Sequence, residues 1–156
     1  MLQTSAMPKK TAGRGYWLFK SDPETYGFAD LLREREQRTV WEGVRNYQAR
    51  NLLRDDVQAG DGVLFYHSSS APPQIVGICR VARAGYPDPT APVWTVVDLQ
   101  AVRPLPRPLD RAALAKVPAL AKMELLRRGS RLSIQPVTVR EWKTILELSG
   151  LEADPW

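Results

Sequence analysis

Three β-prone runs occupy the middle of the chain, residues 63–67 (VLFYH), 75–81 (IVGICRV) and 94–102 (WTVVDLQAV), with only polar or proline-rich segments between them. Parallel neighbours would need a crossover of a dozen or more residues, usually a helix. The Gly60-Asp61-Gly62 turn leads into the first run, and Ser68-Ser69-Ser70-Ala71-Pro72-Pro73 separates it from the second, so the pair reads as a β-hairpin with a long tip. Helical patterns occur at 28–35, 46–57, 111–117, 118–128 and 142–148, but scattered irregularly among the strands. That excludes the strand–helix alternation of a doubly wound sheet and places the chain in the α+β class.

Local signals bound these elements. Residues 16–20 (YWLFK) form a short strand that should end at Ser21, where Ser21-Asp22-Pro23-Glu24 supplies helix-start chemistry. Asp110 can cap the 111–117 helix, Pro118 opens the next, and Gly129 ends it. Residues 131–134 make a further strand, and Thr138-Val139-Arg140-Glu141 matches a capping box before a last helix that Gly150 closes. Among 13 prolines, those at 87, 89, 92, 104, 106 and 108 are expected to cut the middle of the chain into short elements.

A chain of 156 residues can bury a core as one domain without disulfide or metal staples. We divide it into an N-terminal extension over 1–15 expected to be disordered, a domain over 16–150 and a tail over 151–156. No apolar run is long enough for a membrane span. The net charge of +5 and pI near 9.6 favour polyanionic partners only mildly, because Lys9, Lys10 and Arg14 supply three of those charges. Arginine clustering is more informative: Arg45, Arg50 and Arg54 in one segment, Arg127, Arg128 and Arg131 in another. The lone Cys79 excludes an internal disulfide and reads as a small core residue in a reducing compartment. The expectation is a soluble, cytoplasmic monomer, with association to the nucleoid open to it, and no cofactor or metal.

The segment Trp41-Glu42-Gly43-Val44-Arg45-Asn46-Tyr47-Gln48-Ala49-Arg50-Asn51 combines two aromatics, two arginines, side-chain amides and a glycine. A pocket for a flat, polar, aromatic ligand wants this set: π faces to stack on, amides to read an edge, guanidinium for phosphate. A nucleobase is such a ligand. The helix should start just after a bend at Gly43, so that Arg45, Asn46 and Tyr47 project from its first turn.

With residues 17–21 (WLFKS), 40–51, 65–68 (FYHS), 75–77 (IVG), 86–90 (YPDPT) and 125–138 in this order, the chain resembles the EVE domain, the thymocyte nuclear protein-like family of the PUA-like superfamily, over about residues 16–150. The resemblance implies a small, partly open mixed β-barrel of about five to six strands flanked by short helices. It also implies kinship with YTH domains, which recognise N6-methyladenine in RNA. The expected partner is then nucleic acid, DNA or RNA, with a modified base flipped into an aromatic pocket, and the expected protein is a reader without catalytic activity. Where relatives usually insert a loop rich in Asp, Pro, Lys and Tyr after the YPDPT segment, this chain passes through Ala91-Pro92-Val93 directly to Trp94.

The resemblance puts Trp41 at the position of a cage tryptophan in the YTH pocket. The candidate base pocket comprises Ser21, Trp41, Gly43, Asn46, Tyr47, Tyr66, His67 and Ser68, and the candidate phosphate surface Arg45, Arg50, Arg128, Ser130 and Arg131. Each has a plainer alternative. Trp41 can fill the core, Ser21 and Asn46 can cap helices, and His67, the only histidine, can be a hydrogen-bonded structural residue rather than a pocket-lining donor. The second arginine cluster can simply complement a helix C-terminus. Trp94 and Trp142 are expected in the core, and Trp156 has no readable role. A competing enzyme would use His67 as general base oriented by Glu42 or Asp88. The chain has no P-loop, GxSxG elbow or zinc-ligand cluster to support it. An adaptor for a protein or small metabolite is the third possibility.

Overall fold

The computed structural model describes residues 14–151. The expectations for the N-terminal extension before Arg14 and for the tail after Leu151, Trp156 included, lie outside the described residues. In chain order the elements are β1 (Tyr16–Ser21), α1 (Phe28–Arg33), β2 (Arg38–Trp41), α2 (Tyr47–Asp55), β3 (Gly62–His67), β4 (Gln74–Asp88), β5 (Ala91–Asp110), α3 (Arg111–Ala115), β6 (Ile134–Val137) and α4 (Val139–Ser149). Among the described residues no helix is long and apolar enough to cross a membrane.

All six strands join one mixed sheet in the order β2-β5-β4-β3-β1-β6. β1 and β3 are parallel, and every other pair is antiparallel. The barrel expected from the family resemblance is not formed. β2 pairs only with β5 and β6 only with β1, so these four-residue strands are edges and the sheet stays open.

Strand alternation sends side chains to both faces, and each face has its own core. On one, Trp17 and Phe19 of β1 and Val63 and Phe65 of β3 pack with Trp41, Phe28 of α1 and Ala49 and Leu53 of α2. On the other, Leu18, Leu64 and Tyr66 pack with Leu105, Leu114, Trp142 and Ile145. Cys79 is fully buried on the first face, and its thiol is pushed well above the ordinary range by burial alone. Gly77 makes room for Phe28: a Cβ there would collide with the phenyl ring.

β5 runs straight through the prolines expected to break it. Pro104, Pro106 and Pro108 are exposed while Leu105 and Leu109 are buried, so the prolines stay off the face that packs into the core. Beyond Gln100 the strand has left β2 behind and pairs with β4 alone, the edge condition prolines tolerate. The helix expected over 118–128 is two 3-10 turns, Pro118–Leu120 and Glu124–Leu126. Its buried residues, Leu120, Met123 and Leu125, share no single helical stripe, so packing overrides propensity. The strand expected at 131–134 lies further on, at Ile134–Val137, where Pro136 again sits on an edge. Trp94 is not in the core: it is partly exposed and stacks on Tyr47.

The local signals set the remaining boundaries. Thr138 and Glu141 close a reciprocal capping box, with Glu141 N–H donating to Thr138 Oγ1 at 3.1 Å and Thr138 N–H to Glu141 Oε1 at 2.9 Å. Asp110 caps α3, and Gly150 ends α4 in the left-handed conformation. Asp61, only 2% exposed, ties the parallel pair together. Its carboxylate accepts from Gly15 N–H, Trp17 Nε1–H and Gln58 N–H, each at 2.9 Å. Replacing Asp61 by Ala strands the buried Trp17 indole N–H and takes the acceptor from the part-buried Gly15 and Gln58 N–H groups. The expected cost is about 2–4 kcal/mol, read in urea unfolding as a lower midpoint at unchanged slope.

Candidate functional site

A cleft of about 650 Å³ opens where β1 and β2 end, next to the bend before α2. Trp41, the last residue of β2, forms its wall. The indole is 8% exposed and packs against Phe19 (5.6 Å between ring centres), Phe65 (5.5 Å) and, edge-on, Tyr26 (6.3 Å). It therefore belongs to the core and the cleft at once, which merges the two alternatives that the sequence left open. Gly43, at φ +84°, turns the chain from β2 towards α2. A side chain there would meet open space, so the glycine serves the left-handed backbone rather than close packing.

Ser21 closes β1 on the opposite side. Its hydroxyl donates to the Tyr26 carbonyl, and its own carbonyl accepts from Ser68 N–H at 2.9 Å. Tyr26, Glu34, Thr39 and Ser133 complete the surroundings, residues the sequence did not single out. They come from a loop, the end of α1, β2 and the segment before β6, and no local pattern joins them. Tyr26 donates its phenolic proton to Glu34 Oε2 at 2.7 Å. Burial foremost, reinforced by Glu34 and against the opposing Thr39 hydroxyl, pushes Tyr26 up to about 12. It therefore offers an aromatic face and a hydroxyl without charge. Asp22, Glu34 and Glu42 put carboxylates on the cleft, and Lys20 and Arg45 put cations there.

The structure thus gathers Ser21, Trp41, Gly43 and Arg45 around one space. The other residues expected in the base pocket stand elsewhere. Asn46 Oδ1 accepts from Ala49 N–H at 2.9 Å and caps α2. Tyr47 is 58% exposed and stacks on Trp94, away from the cleft. Tyr66 is 3% exposed on the opposite face of the sheet, because alternation places Phe65, not Tyr66, on the Trp41 side. Ser68 approaches only as the backbone partner of Ser21.

His67 accepts rather than donates: its Nε2 takes the Phe28 N–H at 3.1 Å at the start of α1. Burial lowers its pKa, against a smaller upward pull from Asp30, so the ring is held neutral. Of the residues expected to bind phosphate, Arg45 reaches the cleft and lies 3.8 Å from Asp88. Arg50 donates to the Val93 carbonyl. Ser130 donates to Glu124 at 2.6 Å, while Arg128 and Arg131 stay exposed on the loop leading to Ser133.

The EVE domain family model matches residues 15–148. The chain belongs to the EVE domain family. Rat thymocyte nuclear protein 1 is 36% identical to it, over 99% of this chain and 84% of the rat protein. The crystal structure of human THYN1 in complex with 5-methylcytosine-containing DNA is 34% identical and superposes with a TM-score of 0.79, covering 89% of this chain and 99% of that one. A likeness of fold alone extends to the YTH domain of the MRB1 protein from Zygosaccharomyces rouxii, solved with N6-methyladenosine RNA: TM-score 0.56 at 14% identity over 90% of each chain. This chain thus shares its overall fold with that YTH domain.

The His67 contact has a pH signature. A folded-state pKa below the unfolded value means that the unfolded chain binds the proton more readily. Stability from this contact is complete above the unfolded pKa near 6.5 and falls as pH drops through the window below it. In His67→Gln the amide oxygen can still accept from Phe28 N–H, and the loss of stability between about pH 7 and 5 should flatten in parallel denaturation series.

Proposed function

We propose that this EVE domain is a non-catalytic module that reads a modified nucleobase presented by DNA or RNA. The observation that carries the reading is the Trp41 wall: an indole braced by Phe19, Phe65 and Tyr26 beside a cleft in the size range of small-ligand pockets. A ring held this way is ordered before the ligand arrives, so stacking costs little side-chain entropy. Ser21, Tyr26 and the carboxylates supply hydrogen-bonding groups for a base edge, and Arg45 supplies a cation for the adjoining phosphate. The human THYN1 complex with 5-methylcytosine-containing DNA supports the class of ligand.

The enzyme alternative is weakened by the same contacts. The acceptor nitrogen of His67 is engaged by Phe28 N–H, and Asp88 is engaged by Thr90 and Arg45. In these contacts Asp88 does not orient His67. Burial keeps the Cys79 thiol protonated, which removes it as a nucleophile.

Trp41→Ala would open a hole in the core as well as remove the wall, so the informative variant is Trp41→Phe. Against matched oligonucleotides with and without one modified base, 5-methylcytosine and N6-methyladenine included, the wild-type domain should prefer a modified member. Trp41→Phe should reduce that preference roughly five- to tenfold, part of the ~1–3 kcal/mol that stacking on one aromatic contributes. Equal affinity for every modified and unmodified pair would end the reader hypothesis. Arg128→Ala and Arg131→Ala should weaken modified and unmodified strands alike, each lowering the slope of log affinity against log salt by about one.

A further inference from the structure

Beside the cleft lies a second feature, of which the base reading uses only Arg45: a four-layer ladder next to the tip of the β4–β5 hairpin, two stacked rings between two guanidinium groups. The Arg45 guanidinium sits 5.2 Å from the Trp94 ring centre, Trp94 stacks on Tyr47 at 4.7 Å with 27° between planes, and the Arg50 guanidinium lies 5.1 Å from the Tyr47 ring. The ladder is exposed: Tyr47 at 58% and its neighbour Val93 at 54% are among the most exposed large apolar side chains described. It is also held in place. Arg50 Nη1 donates to the Val93 carbonyl at 2.6 Å and Nε to Asn51 at 2.8 Å, which ties α2 to the start of β5.

Its two ends border two cavities. Arg45 lines the base cleft, and Arg50 lines a groove of about 220 Å³ whose other walls include Arg54, Tyr86, Pro92 and Val93. A second cation–ring pair, Arg83 on Tyr86 at 3.8 Å, stands on the groove side. Cleft, ladder and groove therefore form one continuous path with arginine at both junctions. Both faces of each ring are covered, Trp94 by Arg45 and Tyr47, and Tyr47 by Trp94 and Arg50, so the stacking surface is the outer plane of a guanidinium that a ring braces. Such a plane accepts a base of any sequence and keeps its N–H edge for phosphate oxygens.

We infer that this ladder is a second nucleotide site, taking the base next to the one in the cleft, so that the ligand is a single-stranded stretch of nucleic acid rather than an isolated nucleoside. The inference rests on the base-reading function proposed above. Repeated arginines on either side of the rings favour a polyanionic strand over an apolar protein surface, and continuity with the cleft gives the strand its direction. On this path the cleft selects the modified nucleotide, and the ladder and groove hold its neighbours without regard to sequence.

The test uses the full chain and ten-nucleotide single-stranded DNA and RNA probes, each with a single central 5-methylcytosine or N6-methyladenine, or unmodified. Tyr47→Ala, on an exposed position of α2, should lower affinity for modified and unmodified strands by about the same factor, near tenfold, and leave their ratio intact. Tyr47→Phe keeps the ring and should keep the affinity. An abasic residue on one side of the modified base should cost the wild type the same factor and Tyr47→Ala nothing further. Strand affinity unchanged in Tyr47→Ala, while Trp41→Phe still erodes the modified-to-unmodified ratio, overturns the second site and spares the base reading. A tenfold loss in Tyr47→Ala with no ratio to erode does the reverse. A concentration-dependent dimer abolished by Tyr47→Ala, with strand affinity intact, would assign the ladder to a protein contact and overturn the inference.

Discussion

A carboxylate buried at the head of β3 sets the geometry on which everything else rests. Asp61 gives its oxygens to the backbone before β1, to the Trp17 indole in it and to the backbone following α2. Its own carbonyl accepts from Val81 N–H, at β4. Three stretches distant in sequence thus meet at one residue, and the parallel register of Tyr16 with Gly62 follows. Once that register is set, the far end of β1 can stop only beside His67, and Ser21 faces the mouth of the cleft. Charged hydrogen bonds in a dry site are strong and directional, so the anchor is stiff. The cleft inherits that stiffness although it lies at the opposite end of the strands.

The parts of the fold legible in the sequence are those decided by neighbours along the chain. The Thr138–Glu141 box, the Asp110 and Asn46 caps, the turn at Gly60 and the hairpin of β3 with β4 each depend on a handful of adjacent residues. The misread elements are those settled across the sheet. Nothing local says that β5 has lost a neighbour by Pro104 and can therefore carry prolines, or that residues 118–128 must bend to bury Leu120, Met123 and Leu125. The open sheet belongs to the same class of fact, since closure depends on whether β2 and β6 ever meet.

The site divides in the same way. Trp41, Gly43 and Arg45 lie in one segment whose composition marks it, and Ser21 ends a strand whose terminus was visible. Tyr66 shows the limit: a strand over 63–67 must send alternate residues to opposite faces, but this apolar run does not mark which set faces the cleft, and that depends on the side that α1 and α2 cover. Tyr47 was placed with Trp41 because both are aromatics of one motif, yet the Asn46 cap starts the helix between them and swings Tyr47 towards Trp94. His67 had one chemistry in sequence and another in space, because its acceptor nitrogen meets a helix start whose N-cap, Gly27, has no side chain to accept the Phe28 N–H.

On the proposed function, these placements separate selection from attraction. The cleft carries carboxylates as well as cations, so a polyanion gains little by entering it unless a base edge satisfies the polar groups inside. Arg128 and Arg131, on the loop beside it, carry no such requirement, and their pull on phosphates is independent of sequence. The net charge of +5 is modest, so long-range attraction of nucleic acid is mild and is screened by salt. Affinity then depends on the base, and the braced Trp41 ring is the element that converts a modified base edge into binding energy.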